Sequence, residues 1–190
     1  MSNWSPNVIL IDADYLDAVL KDMADCFEPI VKRPLGKGDL CHWLDCIALD
    51  GGLRQGKNAV QAIFLHEKAK TQLDHFLPGH FHDELDGKAF EDFIGEFVMQ
   101  SFPVEDVVSK SDFFVQSLDA VLEGNDVERV FVVGNLESYG QEIVRAIAQS
   151  KGKEVRCFTM HPLKGADCLQ ETLGYSLLAA LGIRSDELGE

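Results

Sequence analysis

The sequence predicts a three-layer α/β/α sandwich built on a mainly parallel sheet of five strands. Residues 130–133 are four consecutive apolar residues, which suit a strand buried on both of its faces. The turn-forming pair Gly134-Asn135 ends this strand, and apolar residues then return at helical spacing from Ile143. Strands and helices alternate in this way along the chain, as they do in a parallel sheet covered on both faces.

The remaining elements follow from the same two patterns. Short apolar or alternating runs predict four more strands, at residues 7–11, 59–65, 95–102 and 154–159. Helical spacing of apolar residues predicts a helix after each of several strands. Asp39 is the expected N-cap of the second helix, Ser109 or Ser111 that of the third, and the last amphipathic helix runs over residues 169–181.

A chain of 190 residues with this pattern is predicted to form one domain, residues 1–190. Residues 67–92 interrupt the alternation with a polar stretch that is rich in histidine and acidic side chains. Two short helices are predicted inside it, near residues 67–75 and 88–94. The stretch is therefore interpreted as a polar insertion in a single domain.

The composition limits the location and the partners of the protein. A net charge of −15 argues against a broad electrostatic grip on nucleic acid. No apolar run has membrane-spanning length, and no signal-peptide pattern opens the sequence, so the expected location is cytoplasmic, without a membrane partner. The five cysteines include no C-x-x-C pair and are predicted to be reduced. Cys157 and Cys168 are interpreted as core residues rather than as nucleophiles assisted by His161.

Acidic and amide side chains cluster where the predicted strands end. A parallel sheet aligns the carboxyl ends of its strands, so Asp12, Asp14, Asn135 and Glu137 are expected at one edge. Asp112, near the start of a helix, is expected to reach the same edge. Carboxylates that converge with no Lys or Arg beside them are usually compensated by a divalent cation. All-oxygen ligands favour Mg²⁺ or Mn²⁺, which activate water for attack on a phosphate ester.

Three segments resemble the PIN-like nuclease domains, and especially their NYN branch. They are VILIDAD near the N-terminus, KSDFFVQSLDAVL in the middle, and VFVVGNLESYGQEIVRAIAQSKGKEVRCF in the second half. The resemblance implies a PIN/NYN-like fold and a metal-dependent ribonuclease. By the family pattern, Asp12 and Asp112 would hold the metal, and Asn135 and Glu137 would take the acidic positions of the last turn.

The chain departs from that family pattern at three places. Asn135 stands where the family usually has Asp, and Glu137 is one methylene longer than the Asp expected there. Asp112 follows Lys110 by two residues rather than three, whereas Asp119 matches the second acid of that helix. Two interpretations therefore stay open: a working ribonuclease with Asp12, Asp112 and Glu137 as catalytic residues, or a degenerate nuclease-like fold.

Two further functions compete with the nuclease. The first strand and Asp12-Ala13-Asp14 also resemble the opening motif of haloacid-dehalogenase-like phosphatases, which implies Asp12 as nucleophile, Asp14 as general acid and Lys110 as the phosphate-neutralising lysine. A non-catalytic module that binds a protein partner or forms a homodimer is the other alternative, with the leucine-rich residues 169–181 as contact surface. RNA is the expected partner of the nuclease. A zinc site built from His75, His80 and His82 is the least favoured alternative.

Overall fold

Nine strands form two sheets in the computed structural model, which describes residues 3–189. The strands are β1 (Asn7–Asp12), β2 (Gly38–Asp39), β3 (Asn58–His66), β4 (Phe76–Leu77), β5 (Lys88–Glu91), β6 (Gly95–Pro103), β7 (Arg129–Val133), β8 (Glu154–Thr159) and β9 (Leu169–Thr172). The α-helices are α1 (Ala13–Val31), α2 (Leu40–Asp50), α3 (Lys110–Leu122), α4 (Leu136–Gln149) and α5 (Gly174–Ala180). A π-helix (Phe81–Leu85) and a 3₁₀ helix (Ser185–Leu188) complete the described secondary structure.

The main sheet has seven strands in the order β5-β6-β3-β1-β7-β8-β9. All neighbours pair in parallel except β5, which runs antiparallel to β6. From β1 the chain adds β3 and then β6 on one side, and it then crosses back to add β7, β8 and β9 on the other. The direction of winding therefore reverses between β1 and β7, and the carboxyl ends of these two strands flank the usual ligand position of such sheets.

Helices cover both faces of this sheet, because its central strands are apolar on both sides. Ile9 and Ile11 of β1 pack in a cluster with residues of α1, α2 and α5. Val8 and Leu10 point the other way, into a second cluster with α3 and α4. The mixed α/β class and the mostly parallel sheet predicted from the sequence are confirmed.

Three helices begin at the carboxyl edge of the sheet with a side-chain cap. Asp12, Ser109 and Asn135 are the N-caps of α1, α3 and α4, and each side chain accepts a hydrogen bond from the backbone N–H three residues on. Since α1 and α4 follow β1 and β7 directly, their caps occupy the point where the winding reverses. Asp12 and Asn135 are therefore both helix caps and residues of the candidate site.

The prediction of five strands is wrong, because the sheet has seven. The five predicted strands correspond to β1, β3, β6, β7 and β8, and the sequence missed the two outermost ones. The helix predicted near residues 88–94 is also wrong: β5 lies there, and its Phe90 stacks on Phe97 of β6 with ring centroids 4.7 Å apart. Pairing with β6 outweighs a local pattern that is too short to specify a helix.

The last predicted helix begins too early. Residues 169–172 form β9 beside β8, and α5 covers only Gly174–Ala180. Leu173 and Leu177 are fully buried, whereas Leu169 is 56% exposed. The helical spacing of the leucines in residues 169–181 therefore extends over two elements, the strand β9 and the helix α5. Likewise, residues 67–75 form no helix but a series of turns that leads into β4.

Candidate functional site

A cavity of about 440 Å³ opens where β1 and β7 end. It lies at the reversal point of the sheet, next to the first turns of α1, α3 and α4. Its lining residues are Asp12, Asp14, Tyr15, Ala18, Lys110, Ser111, Asn135, Ser138 and Tyr139. Three of the residues predicted for the site, Asp12, Asp14 and Asn135, thus lie together.

Asp12 is the most buried acid of the cavity, with 2% of its surface exposed. Its Oδ1 accepts a hydrogen bond from the backbone N–H of Tyr15 at 3.1 Å. Its Oδ2 accepts a short hydrogen bond from the hydroxyl of Tyr139. A buried carboxylate needs such donors, because desolvation without partners is costly. The orientation of Asp12 is therefore fixed by two different helices.

The expected absence of a basic side chain near these acids is wrong, because Lys110 lies between them. The Lys110 Nζ is 2.6 Å from Asp12 Oδ1 and 2.6 Å from Asp14 Oδ2. Burial acts to lower the pKa of Lys110, but the neighbouring Asp12 and Asp14 carboxylates outweigh it and raise the pKa above its ordinary value. The ammonium therefore stays charged at neutral pH and balances one of the two negative charges.

Asp14 links the cavity to the neighbouring strand. Its Oδ2 accepts a hydrogen bond of 2.8 Å from the backbone N–H of Glu67, which follows β3 directly. The same oxygen accepts from Lys110, so one carboxylate ties together β3, α1 and α3. The side chain of Asp14 is 15% exposed, against 2% for Asp12, and it is the more accessible acid.

Asn135 lines the cavity but acts as a helix cap. Its Oδ1 accepts a hydrogen bond of 3.1 Å from the backbone N–H of Ser138. Asn is among the residues that cap helices best, so this contact accounts for the start of α4. Because Asn135 is neutral, Asp12 and Asp14 are the acids of the cavity lining, and Lys110 contacts both of them.

The other two predicted acids point elsewhere. Asp112 is exposed, and its Oδ2 accepts a hydrogen bond of 2.7 Å from the hydroxyl of Ser109 at the start of α3. Glu137 is 65% exposed and lies 3.7 Å from Nε2 of His161, in a neighbouring groove of about 430 Å³. The cavity therefore brings together Asp12, Asp14 and Asn135 and leaves Asp112 and Glu137 outside its lining.

The family model described as "Family of unknown function (DUF6621)" matches residues 1–188. The chain belongs to the DUF6621 family. Neither a curated protein nor a solved structure matches it. The description of the DUF6621 family names no activity, so the geometry of the cavity carries the functional argument.

Among residues 3–189 of the DUF6621 chain, no three His, Cys, Asp or Glu side chains lie together so that they could hold a metal ion. The three histidines considered for zinc do not meet at one point. His75 contacts Asp17, whereas His80 and His82 both contact Asp83. Asp12 and Asp14 do supply hard oxygen donors of the type that Mg²⁺ takes. A cation between them must replace the ammonium of Lys110. Within the same residues, no helix combines the length and the hydropathy needed to cross a bilayer.

Tyr139 is the DUF6621 site residue that sequence reasoning missed. It lies in the first turns of α4 at a point of non-helical backbone, with φ −134° and ψ 31°, and its ring packs 5.5 Å from that of Phe114. Burial, followed by the charge of Asp12 and the hydrogen bond to it, raises the pKa of Tyr139, so its hydroxyl remains a donor. A tyrosine four residues after a cap gives no signal that it turns back toward another helix.

Replacing Tyr139 by phenylalanine is expected to lower the free energy of unfolding by about 1.5 kcal/mol, because the buried Asp12 loses a donor. Urea denaturation at pH 7 measures the loss. Tyr175→Phe is the matched control, since Tyr175 is 74% exposed and its change should leave the midpoint unaltered. Equal midpoints for both variants would contradict the assigned hydrogen bond.

Proposed function

We propose that this DUF6621 protein is a PIN/NYN-like domain that hydrolyses a phosphodiester bond of RNA at the cavity of Asp12, Asp14 and Lys110. The observation that carries the proposal is that a buried Asp12, a half-buried Asp14, a lysine and three helix N-termini meet at the reversal point of a parallel sheet. Acids suit water activation, and the lysine and the helix ends suit a phosphate. Both functions are needed for hydrolysis of a phosphate ester.

The phosphate side rests on the first turns of α1, α3 and α4. A helix N-terminus carries partial positive charge and exposed N–H groups, and therefore favours an anion. Lys110 adds a full charge at the start of α3, and the hydroxyls of Ser111 and Ser138 line the same cavity. Lys110 and the helix ends therefore supply positive partners for a phosphate beside the two carboxylates.

The acidic side rests on Asp12 and Asp14. These two residues would hold Mg²⁺ or Mn²⁺, and a bound cation of this type lowers the pKa of water and neutralises developing charge on the ester. Lys110 would leave the carboxylates when the cation arrives, and its ammonium would then bind the phosphate. Tyr139 would keep Asp12 oriented during this exchange, because its hydrogen bond goes to the oxygen that Lys110 does not contact.

A non-catalytic binding module is the second candidate, and one observation favours it. The carboxylates of Asp12 and Asp14 are already neutralised in part by Lys110, at 2.6 Å from each. A lysine fixed in this position would serve stability rather than exchange with a cation. Phosphatase chemistry at Asp12 is less favoured, because a nucleophilic carboxylate must reach phosphorus and Asp12 is 2% exposed with hydrogen bonds on both oxygens.

The proposal predicts that the protein cleaves single-stranded RNA in the presence of Mn²⁺ and that Asp12→Asn and Asp14→Asn abolish cleavage. Cleavage is measured by incubating a labelled RNA with wild-type and variant proteins that have been purified in the same way. Asp112→Asn is the matched control: it also removes a carboxylate near the start of α3, but Asp112 lies outside the cavity lining, so cleavage should persist.

Three outcomes would contradict the proposal in distinct ways. Equal cleavage by wild type and both cavity variants would indicate a contaminant. No cleavage of several RNAs by folded wild-type protein would favour the binding module. A beryllofluoride adduct at Asp12 would favour the phosphatase.

A further inference from the structure

A second cavity, of about 340 Å³, lies where β3 and β6 end. Its lining includes three of the six histidines and two lysines, namely His66, His80, His82, Lys68 and Lys70. We call it the histidine pocket. None of these five residues lines the cavity of Asp12, and the proposed hydrolysis does not use them. The volume falls within the range of small-molecule sites.

The fixed charges that line the histidine pocket are positive on balance. Lys68 and Lys70 are set against a single acid, Asp86. The Oδ1 atom of Asp86 accepts a hydrogen bond of 3.0 Å from the backbone N–H of Ser101, so its charge is partly compensated already. In a chain with a net charge of −15, a pocket with this balance is the kind of place that suits an anion.

Both lysines also contact acids that lie outside the lining. The Nζ atom of Lys68 is 2.7 Å from Oδ2 of Asp106, and that of Lys70 is 4.0 Å from Oδ2 of Asp74. These four side chains are between 49% and 75% exposed, and ion pairs in such solvent-exposed positions contribute little energy. Either ammonium group can therefore turn toward a ligand in the pocket at small cost.

His66 gives the pocket a buried hydrogen-bond acceptor. It is 6% exposed, and its ring stacks on that of Phe81 with centroids 3.9 Å apart. Its Nδ1 is 2.9 Å from the carbonyl oxygen of Glu67, and since a carbonyl only accepts, Nδ1 carries the ring proton. In the neutral ring Nε2 is then an acceptor, and within residues 3–189 this atom makes no hydrogen bond. The stack and the Nδ1 contact therefore fix an acceptor that still needs a donor.

His80 and His82 supply the opposite polarity. The backbone N–H of Asp83 donates to Nδ1 of His80 at 3.2 Å, which places the proton of the neutral His80 ring on Nε2 and makes that atom a donor. Nδ1 of His82 lies 2.8 Å from Oδ1 of Asp83. The hydrogen bond to Asp83, followed by its charge, raises the pKa of His82 and so favours the charged form of that ring.

We propose that the histidine pocket binds hydrogen phosphate, either as the inorganic ion or as the singly protonated monoester of a small molecule. A phosphate group that keeps one proton donates its P–OH to Nε2 of His66. Its other oxygens accept from Lys68, Lys70 and the Nε2–H of His80. Sulfate and phosphodiesters present acceptors only, so they leave the buried Nε2 without a donor. The inference does not depend on the proposed hydrolysis.

The experiment is a calorimetric titration of the full chain at pH 7 with inorganic phosphate, sulfate and dimethyl phosphate. Phosphate should bind about tenfold more tightly than either of the others, because only phosphate satisfies Nε2 of His66. Sulfate carries more charge than phosphate and dimethyl phosphate carries less, so charge alone would place phosphate between them. An affinity for sulfate equal to that for phosphate, or no phosphate binding, would overturn the proposal.

Two further measurements locate the ligand and identify its source. In spectra of the histidine rings, phosphate should shift the signals of His66 and His80 but not that of His161, which lies in the groove beside Glu137. Phosphate binding without a shift at His66 would contradict the assigned site. Methyl phosphate that binds as tightly as phosphate would assign the pocket to monoesters, and weaker binding would assign it to the inorganic ion.

Variants separate the two kinds of contact. Lys70→Gln should weaken phosphate binding about fivefold, whereas Lys151→Gln, an exposed lysine outside the lining, should leave it unchanged. His66→Phe keeps a ring that stacks on Phe81 and removes Nε2, so the preference for phosphate over sulfate should disappear. Equal phosphate binding by the two lysine variants, or an undiminished preference in His66→Phe, would overturn the proposal. If His66→Phe does not fold, the anion series and the ring signals of wild-type protein decide. RNA cleavage enters none of these measurements, so its absence would leave their outcome intact.

Discussion

Replacing Lys110 by methionine is expected to lower the free energy of unfolding by about 3 kcal/mol, because breaking a buried ion pair leaves a charge without its partner. Asp12 is 2% exposed and Asp14 15%, and Lys110 is the only cationic side chain that contacts either of them in residues 3–189. Methionine keeps most of the apolar stem of the lysine, so the change isolates the charge. Guanidinium denaturation at pH 7 measures the effect.

A lysine at the surface provides the matched control for this result. Lys21 lies 2.6 Å from Asp25, the same distance, but both side chains are more than half exposed. Lys21→Met should leave the midpoint almost unchanged, since solvent screens such pairs. In the double variant Asp12→Asn with Lys110→Met, much of the lost stability should return, because no buried charge remains at Asp12. Equal effects of Lys110→Met and Lys21→Met would show that the cavity pair is not buried in solution.

The same variant distinguishes the two candidate functions. If Lys110 gives way to a cation during the reaction, Lys110→Met should bind Mn²⁺ more tightly than wild type, because the ammonium no longer competes for the carboxylates. Its cleavage of RNA should nevertheless fall, because the phosphate loses its positive partner. Absence of Mn²⁺ binding in both proteins would favour the non-catalytic module.

The sequence predicts the centre of the fold better than its edges. Strands β1, β3, β6, β7 and β8 follow from short runs with strand patterning. Among them, β1 and β7 each contain four consecutive apolar residues, since a central parallel strand is buried on both faces. The edge strands β5 and β9 have four residues each, none of them fully buried, and each depends on a partner that is already in place. Their short patterns do not carry that long-range information.

The candidate site, like the fold, is predicted from the sequence only in part. The alignment of parallel strand ends predicts that Asp12, Asp14, Asn135 and Glu137 lie together. The first three line the cavity, whereas Glu137 does not. Lys110 and Asp112 are two residues apart on α3, which separates their directions by about 200° around the helix axis. Since Lys110 faces the cavity, Asp112 faces away from it. Which of the two points inward depends on how α3 packs on the sheet, and no local pattern records that angle.

Raising the pH from 5 to 8 is expected to destabilise the protein through Asp45 of α2. One oxygen of this side chain is buried with no hydrogen-bond donor, and the carboxyl lies against Asp92 in the connection between β5 and β6. Burial, the hydrogen bond to Asp92, and the charges of Asp92 and Asp39 raise the pKa of Asp45 from 3.8 to about 7. The protonated carboxyl donates to Asp92, whereas the ionised one repels it.

The direction of the effect follows from proton linkage. Asp45 has a higher pKa in the folded protein than in the unfolded chain, so the folded state binds more protons between these two values. The stability that the bound proton contributes is complete below about pH 4, and it is lost as the pH rises through about 7. After an allowance for partial exposure of the side chain, the loss is about 2 kcal/mol.

Asp45→Asn should remove this dependence and make the protein more stable than wild type at pH 8, by about 2 kcal/mol, because the amide donates to Asp92 at every pH. At pH 4 the two proteins should unfold at nearly equal denaturant concentrations. Asp126→Asn is the control, since it removes one negative charge from an exposed turn and so tests whether a lower net charge alone explains the gain. If both variants gain the same stability at pH 8, the cause is relief of overall charge repulsion. The proton shared by Asp45 and Asp92 would then not explain the gain. If only Asp45→Asn gains, the pair is a site where protonation holds α2 against the connection between β5 and β6.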